Sequence, residues 1–538
     1  MATMLVCLQS LLAVGFPESI VYGKIAPGIG LSMAFGSIFY MIQALYVARS
    51  TGREDICAQP FGINTPGAFA FISSIILPVY YKKLKYDESG KNPINTEEAA
   101  EFAWKVGVAA NFVQGAVETA FAAIGPQIQK GVPIVALLTS LASIGFAFLL
   151  SGPLLDEFAK PMLSLPCVFI VFLGYFTGIK WGGMPTSVLV MVIGTVIGWA
   201  GGYLTQDALN DELKNVKGYS GEFVIADIFE HASEVSPYIG LIIPVGLTVA
   251  VGTIQCVELA KLAGDTFNVR ASMLGDGAAT MVAACFGSVF GMTVFIGHPA
   301  FKAMGARVTY NALTAVTFLV VCFTGLPAVI LGLVPIEALN PILVFVGIIV
   351  CCDTLAITPK RHYPAFVLGL VPAVANWTGQ QAESLVRAAF PVQAENIDFQ
   401  DPELWRGFGN TMHGLFLLGS NYLVTSIVLC CIMVYIIDRK YLMAGVWSLI
   451  GAVCSLFGFM HAIKLGALVK KHEYGWRFCV AYSSIAFLFL LLNIAQRKGY
   501  VEEPMEEDKA QELSIRSGGE INDASPRIST DEKLAGIE

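Results

Sequence analysis

The stretch Phe290 to Gly305, FGMTVFIGHPAFKAMG, opens with an apolar, β-leaning run, Met292 to Ile296. It breaks at Gly297-His298-Pro299 and resumes as a short helical piece that stops near Gly305. An earlier stretch, Cys57 to Ile72, CAQPFGINTPGAFAFI, repeats the order: Asn64-Thr65-Pro66-Gly67-Ala68-Phe69 echoes Gly297-His298-Pro299-Ala300-Phe301. Proline suits the first turn of a helix, where its missing N–H has no partner to lose, and Asn, Thr or Gly before it suits a cap. Each stretch therefore predicts a strand-like piece feeding a short helix. Both lie among apolar runs long enough to cross a bilayer. Non-helical backbone at that depth survives only where protein buries it or it lines a wet cavity. A matched pair of such broken segments in two halves of a chain points to a transporter's site.

The surroundings set the class. Of 538 residues, 55% are hydrophobic and 14% charged, against about 25% charged in soluble domains. The chain reads as an all-α polytopic membrane protein embedded in a lipid bilayer. No basic domain is present, so nucleic acid is excluded as a partner. No nucleophile motif, metal-ligand spacing or phosphate loop appears, so neither an enzyme nor a cofactor is expected. The 12 cysteines lie almost entirely inside apolar segments without a CxxC pair, as small core or lipid-facing residues do. The first apolar run leads into further spans rather than to a cleavage site, and it starts so abruptly that a short or incomplete N-terminus is expected.

Spans are predicted near 2–19, 27–48, 65–81, 102–124, 132–151, 161–179 and 185–204, and again near 238–262, 271–289, 298–305, 308–331, 339–357, 362–378 and 409–437. The broken segment is third in each run of seven. Seven is odd, so the second run enters the membrane upside down, as an inverted repeat. The expected organisation is a first repeat over 1–204, a polar extracytoplasmic loop over 205–237, a second repeat over 238–438, two additional helices within 439–499, and an acidic, disordered cytosolic tail over 500–538. Lys and Arg in the short loops, such as Arg49, Arg53, Lys360 and Arg361, place both termini in the cytosol. The plasma membrane is the expected location.

The candidate site gathers around the breaks. Asn64, Thr65, Gly297 and His298 stand where half-helix N-termini aim their positive ends at a polar or anionic ligand. A neutral imidazole at His298 both donates and accepts. On the eighth span, Gln255, Glu258, Leu262 and Asp265 fall on one face by spacing. A carboxylate at membrane depth faces protein or water, which suits Glu258 to binding substrate and a coupling H+ or Na+; the bland alternative is an ion pair with Lys261. Lys261 and Asp265 read as structural. Asn111, Gln114 and Glu118 form one stripe on the fourth span, explained by interhelical hydrogen bonds, with Glu118 as the second candidate for the coupling ion. Asp276 reads as a cap of the ninth helix and Asp353 as a residue near the cytosolic mouth. His362, His413 and His461 read as structural.

Four segments carry a family resemblance: GREDICAQPFGINTPGAFAF (Gly52 to Phe71), VELAKLAGD (Val257 to Asp265), GHPAFKAMGARVTY (Gly297 to Tyr310) and TPKRHYPAFVLGLVPAVANW (Thr358 to Trp377). They resemble the xanthine/uracil permease group of the nucleobase–ascorbate transporter superfamily, in an uncharacterised bacterial-type branch, over about residues 10–465. The resemblance implies seven-plus-seven inverted repeats, a core and a gate domain, and a substrate held between the two half-helices and the eighth helix. It carries the eighth-helix acid onto Glu258, the tenth-segment acid onto His298 and a third-segment backbone contact onto Phe69. Two positions depart from its pattern: His298 replaces a carboxylate, and Leu262 stands where a polar ring is found. The expected function is secondary active transport of a purine- or uracil-like nucleobase, coupled to H+ or Na+, by a chain compatible with a homodimer. Two alternatives accompany it: an anion carrier of the sulfate-permease-like plan, which a histidine in place of an acid favours, and a non-transporting membrane scaffold or receptor.

Overall fold

A computed structural model describes residues 1–85, 93–179, 181–295, 297–303, 305–390, 397, 402–461 and 473–505. The tail expected to be disordered lies, from residue 506, outside the described residues. The molecule is an all-α polytopic membrane protein, a seven-plus-seven inverted repeat with two further helices at its end, Tyr441–Leu456 and Glu473–Arg497. Among the described residues the helical stretches Glu18–Thr51, Ile134–Ala159, Ala232–Lys261, Ile336–Ile357 and Gly475–Arg497 are each long and apolar enough to cross a membrane alone. Two spans read as continuous are bent instead. Tyr310–Phe323 meets Leu326–Leu333 at 83°, and Asn410–Gly419 meets Tyr422–Ile437 at 92°. The first bend turns on Gly325 (φ 69°), followed by Pro327; the second turns on Asn421 (φ 50°). Both residue types tolerate the left-handed region, and apolar periodicity does not register them.

The two repeats clasp one another through an exchange of equivalent parts. Phe61–Ile63 (β1) pairs antiparallel with Met292–Val294 (β2). Helix Ala26–Thr51 of the first repeat packs along Tyr310–Phe323 of the second, and helix Thr96–Gly131 packs along Val269–Cys285. The polar anchors follow the same exchange. Asn111 Nδ2 donates to the carbonyls of Ser288 (3.0 Å) and Phe290 (3.1 Å), just ahead of β2. Asn311 Nδ2 donates to the Gln59 carbonyl (3.0 Å), just ahead of β1. An asparagine from each repeat thus satisfies backbone that neither helix nor water would satisfy at this depth. Close helix approach is set by Gly115 and Gly277. A Cβ on Gly115 would lie 2.8 Å from the Gly277 carbonyl, and a Cβ on Gly277 would lie 2.8 Å from the Gly115 carbonyl. Only small residues permit that contact.

Around the clasp lies a continuous apolar core that includes Tyr40, Phe71, Trp104 and Phe290. A second apolar cluster joins Ile134–Ile144, Tyr422–Ile437 and the two final helices. The described cysteines are free thiols, most of them buried among apolar side chains, as their sequence setting predicts.

Candidate functional site at the strand crossing

The register places Phe61 opposite Val294, Gly62 opposite Thr293 and Ile63 opposite Met292. Pairing extends past both ends, from Asn64 N–H to the Gly291 carbonyl (2.9 Å) and from Phe295 N–H to the Pro60 carbonyl (2.8 Å). The strand-like piece predicted in each stretch is thus three paired residues long, and the two pieces meet. Beyond β1, the Asn64 side chain caps the helix that begins at Thr65, accepting from Gly67 N–H at 3.2 Å. That helix continues from Thr65–Phe71 through Ile72–Ile76 to Leu77–Lys83. The Thr65 and Thr3 hydroxyls lie 3.0 Å apart. Beside β1 is a small cavity of about 110 Å³, lined by Thr3, Met33, Phe61, Ile63, Phe295 and Phe318 among others. Phe69 is half-buried one turn along, and its carbonyl accepts from Ser73 Oγ at 2.7 Å.

Two buried carboxylates hold β2 from behind. Asp276 accepts from the hydroxyls of Tyr40 (2.6 Å), Thr253 (2.6 Å) and Thr293 (3.4 Å), and from Val294 N–H (3.4 Å). It is no helix cap: it sits inside Val269–Cys285, whose start is capped by Asn268 through Ala271 N–H (3.0 Å). Glu118 accepts from Gln114 Nε2 (2.7 Å) and from Thr280 Oγ1 (3.1 Å), and Thr280 Oγ1 accepts from Met292 N–H (2.9 Å). Sequence spacing identified Glu118 but not the function of Asp276. The signal was there in Thr253, Thr280 and Thr293, hydroxyls at membrane depth that need acceptors.

His298 opens the second half-helix, His298–Ala303. Its side chain is 1% exposed, and Nε2 lies 3.0 Å from Asp265 Oδ2. Asp265 is itself wholly buried and collects Lys302 Nζ (2.5 Å), Cys57 N–H (3.0 Å) and Arg53 Nη2 (3.5 Å). Arg53 and Lys302 also meet Asp55, at 2.5 and 3.3 Å. The Arg53 hydrogen bond, with Lys302 adding to it, holds the Asp55 carboxyl well below the ordinary carboxylate range despite an opposing desolvation effect. His298 Nδ1 is buried without a hydrogen-bond partner among the described residues. Gly297, half-buried, leads into this cluster.

The face expected to carry Gln255, Glu258, Leu262 and Asp265 together does not exist. The helix ends at Leu262, and Gly264 (φ 90°) turns the chain, so Asp265 points inward while the Glu258 side chain is 49% exposed. Glu258 lies 3.5 Å from Lys261, the i,i+3 ion pair weighed above. The structure thus joins Asn64 and Thr65 to the strand crossing, sets His298 in the ion cluster, and leaves Glu258 on an open surface.

No family model matches the chain, and no curated protein does either. Among solved structures it is similar to the transmembrane domain of a cyanobacterium bicarbonate transporter, BicA, at 14% identity and TM-score 0.39, over 79% of this chain and 95% of that one. It is also similar to the murine Solute Carrier 26 family member A9 anion transporter in the inward-facing state, at 12% identity and TM-score 0.40, over 68% of this chain and 67% of that one. The expected membership of the xanthine/uracil permease group is corrected by this result: the similar structures are of a bicarbonate transporter and an anion transporter, not of nucleobase permeases. At these TM-scores neither likeness transfers a site or a substrate. Of the two positions expected to grip a nucleobase, His298 is engaged by buried Asp265, while Glu258 stands on an open surface 3.5 Å from Lys261.

Proposed function

We propose that this chain is a secondary transporter that carries a small anion across the bilayer by alternating access, with the strand crossing as the substrate's resting place. One observation carries the reading: β1 and β2 pair, buried, in the midst of apolar helices of two opposed repeats. Backbone left non-helical at such depth is a cost that a packing scaffold has no need to bear. The sign of the substrate follows from what surrounds the strands. The carboxylates that reach them, Asp276 directly and Glu118 through Thr280, turn their oxygens to protein hydroxyls and N–H groups. Neither carboxylate is left free to grip a ligand rich in N–H donors. The long helix beginning at Thr65 presents the positive end of its dipole, with the Thr65 hydroxyl beside it, which suits an anion. A gradient of H+ or Na+, or exchange against a second anion, supplies the energy.

Purified protein in proteoliposomes tests this with labelled bicarbonate, chloride and sulfate, with and without a pH or Na+ gradient, alongside labelled uracil and xanthine. Saturable uptake of one of the anions, unaffected by excess uracil or xanthine, is the expected result. Uptake of a nucleobase without uptake of any of the anions would overturn the reading.

A further inference from the structure

Away from the strand crossing, the two repeats meet at a second buried polar site. It lies at the membrane end where helix Gly152–Ala159 turns into helix Pro161–Phe176, against the short 3-10 turn Ile336–Ala338 and the start of helix Asn340–Ile357. Glu157 is 0% exposed there, and neither of its carboxylate oxygens has a hydrogen-bond partner among the described residues. The Asn340 and Ser164 side chains approach it without reaching hydrogen-bond geometry, and the Ser164 hydroxyl donates instead to the main-chain carbonyls of Glu157 and Lys160. Glu337, 7% exposed, faces Glu157 from the other repeat, and one of its oxygens is taken by Lys160 Nζ. Asn340 is 6% exposed. Asp156 is exposed at the rim.

A buried carboxylate without a partner is costly, and the usual remedies are a counter-charge, a proton or a bound ion. Lys160 neutralises one of the two buried acids, so the remaining deficit is a single positive charge. The acceptors that converge are the two oxygens of Glu157 and the second of Glu337, with the Asn340 amide beside them. An all-oxygen set suits a hard cation, whereas a soft transition metal would call for nitrogen or sulfur. A shared proton would bridge one oxygen of each acid and leave the other Glu157 oxygen unmet.

We infer that Glu157, Glu337 and Asn340 form a binding site for a monovalent metal cation, Na+ in particular, bridging the first repeat to the second on the membrane side that also bears the 205–236 loop. The inference is independent of what the chain transports. By joining the turn after Gly152–Ala159 to the start of Asn340–Ile357, the ion ties together helices that lie outside the clasp formed by β1 and β2.

The test is thermal unfolding of the purified full chain in detergent while Na+ replaces choline at constant chloride and ionic strength, paired with direct binding of radioactive Na+. A saturating rise in Tm and stoichiometric binding are expected for the wild type. Both should be lost in Glu157→Gln, which keeps the side chain's shape. In Asn340→Ala the half-saturating Na+ concentration should move upward. Should Glu157→Gln fold poorly, the Asn340→Ala shift and wild-type binding decide the matter. An equal Na+ response in Glu157→Gln and wild type, or a wild type that responds to pH but binds no Na+, would overturn the site.

Discussion

His298 Nε2 and Asp265 Oδ2 lie 3.0 Å apart with both side chains buried, at the point where loop 52–60 of the first repeat meets the half-helix of the second. The contact gives the histidine a structural partner, and Asp265 has three more donors around it. Asp265→Ala removes the common acceptor and leaves Lys302, which is mostly buried, without its closest counter-charge. Breaking one side of a buried ion pair costs about 3–5 kcal/mol. His298→Ala removes one hydrogen bond and should cost about 1–3 kcal/mol. Thermal unfolding in detergent orders the two: Asp265→Ala below His298→Ala below wild type. The reverse order would show that His298, not Asp265, centres the cluster.

The carboxylates behind β2 should differ sharply in their tolerance of an amide. Asp276 accepts from three hydroxyls and from Val294 N–H, so Asp276→Asn points an NH2 at donors. A loss of about 2–3 kcal/mol is expected from the donors it leaves unmet. Glu118→Gln should be nearly neutral. The new amide can donate to Thr280 Oγ1, whose own hydrogen turns to the Met292 carbonyl 3.3 Å away. Measured Tm values for the two isosteric variants check the asymmetry, and equal losses would refute it.

Gly115 and Gly277 make a prediction about coupling. Each lies where an added Cβ would strike the other helix's backbone at 2.8 Å. Either Gly→Ala change should cost about 1–3 kcal/mol, the usual penalty of overpacking. Because one outward shift of the helices relieves both clashes, the double variant should cost less than the sum of the singles. Additive losses would mean that the two sites relax separately.

How much of this was legible in the sequence depends on distance along the chain. The strand crossing was, because Gly and Pro break an apolar run in a way that appears twice, at Pro66 and Pro299. Asn64 as a cap was equally local. Asp265 was read on the wrong side of its helix because spacing assumes the helix continues, and Gly264 ends that continuity. Asp276 looked like a cap because its acceptors' partners, Tyr40 and Thr293, lie on other elements. Glu157 drew no notice at the end of an apolar span, where charges are ordinary. Its isolation is visible only once Glu337, 180 positions later, is folded against it.

A pH effect is expected at the other polar cluster, where Asp438 meets His362 Nε2 at 2.8 Å and Arg361 Nε at 3.0 Å. Burial alone would push the Asp438 carboxyl up, but the His362 hydrogen bond and the nearby positive charges outweigh it, so it titrates below the ordinary carboxylate value. A depressed folded value means the contribution to stability is in place above the unfolded value, near about 4. It is lost as pH falls through the folded value. The Tm of Asp438→Asn should therefore lie below wild type near neutrality and converge with it in acid. A constant gap across that range would assign the loss to packing.

Glu258 separates fold from transport. Its side chain is 49% exposed and its pairing with Lys261 spans 3.5 Å, so Glu258→Gln should change stability by less than about 1 kcal/mol. The substitution keeps the shape and removes a titratable proton. If uptake of an anion is driven by a proton gradient and Glu258 carries the proton, gradient-driven accumulation in proteoliposomes should fail while exchange of labelled for unlabelled anion persists. Loss of both at unchanged Tm would make Glu258 a substrate contact. Retention of both would leave Glu258 as half of a surface ion pair, and the coupling group would have to be sought among the buried carboxylates, beginning with Glu118.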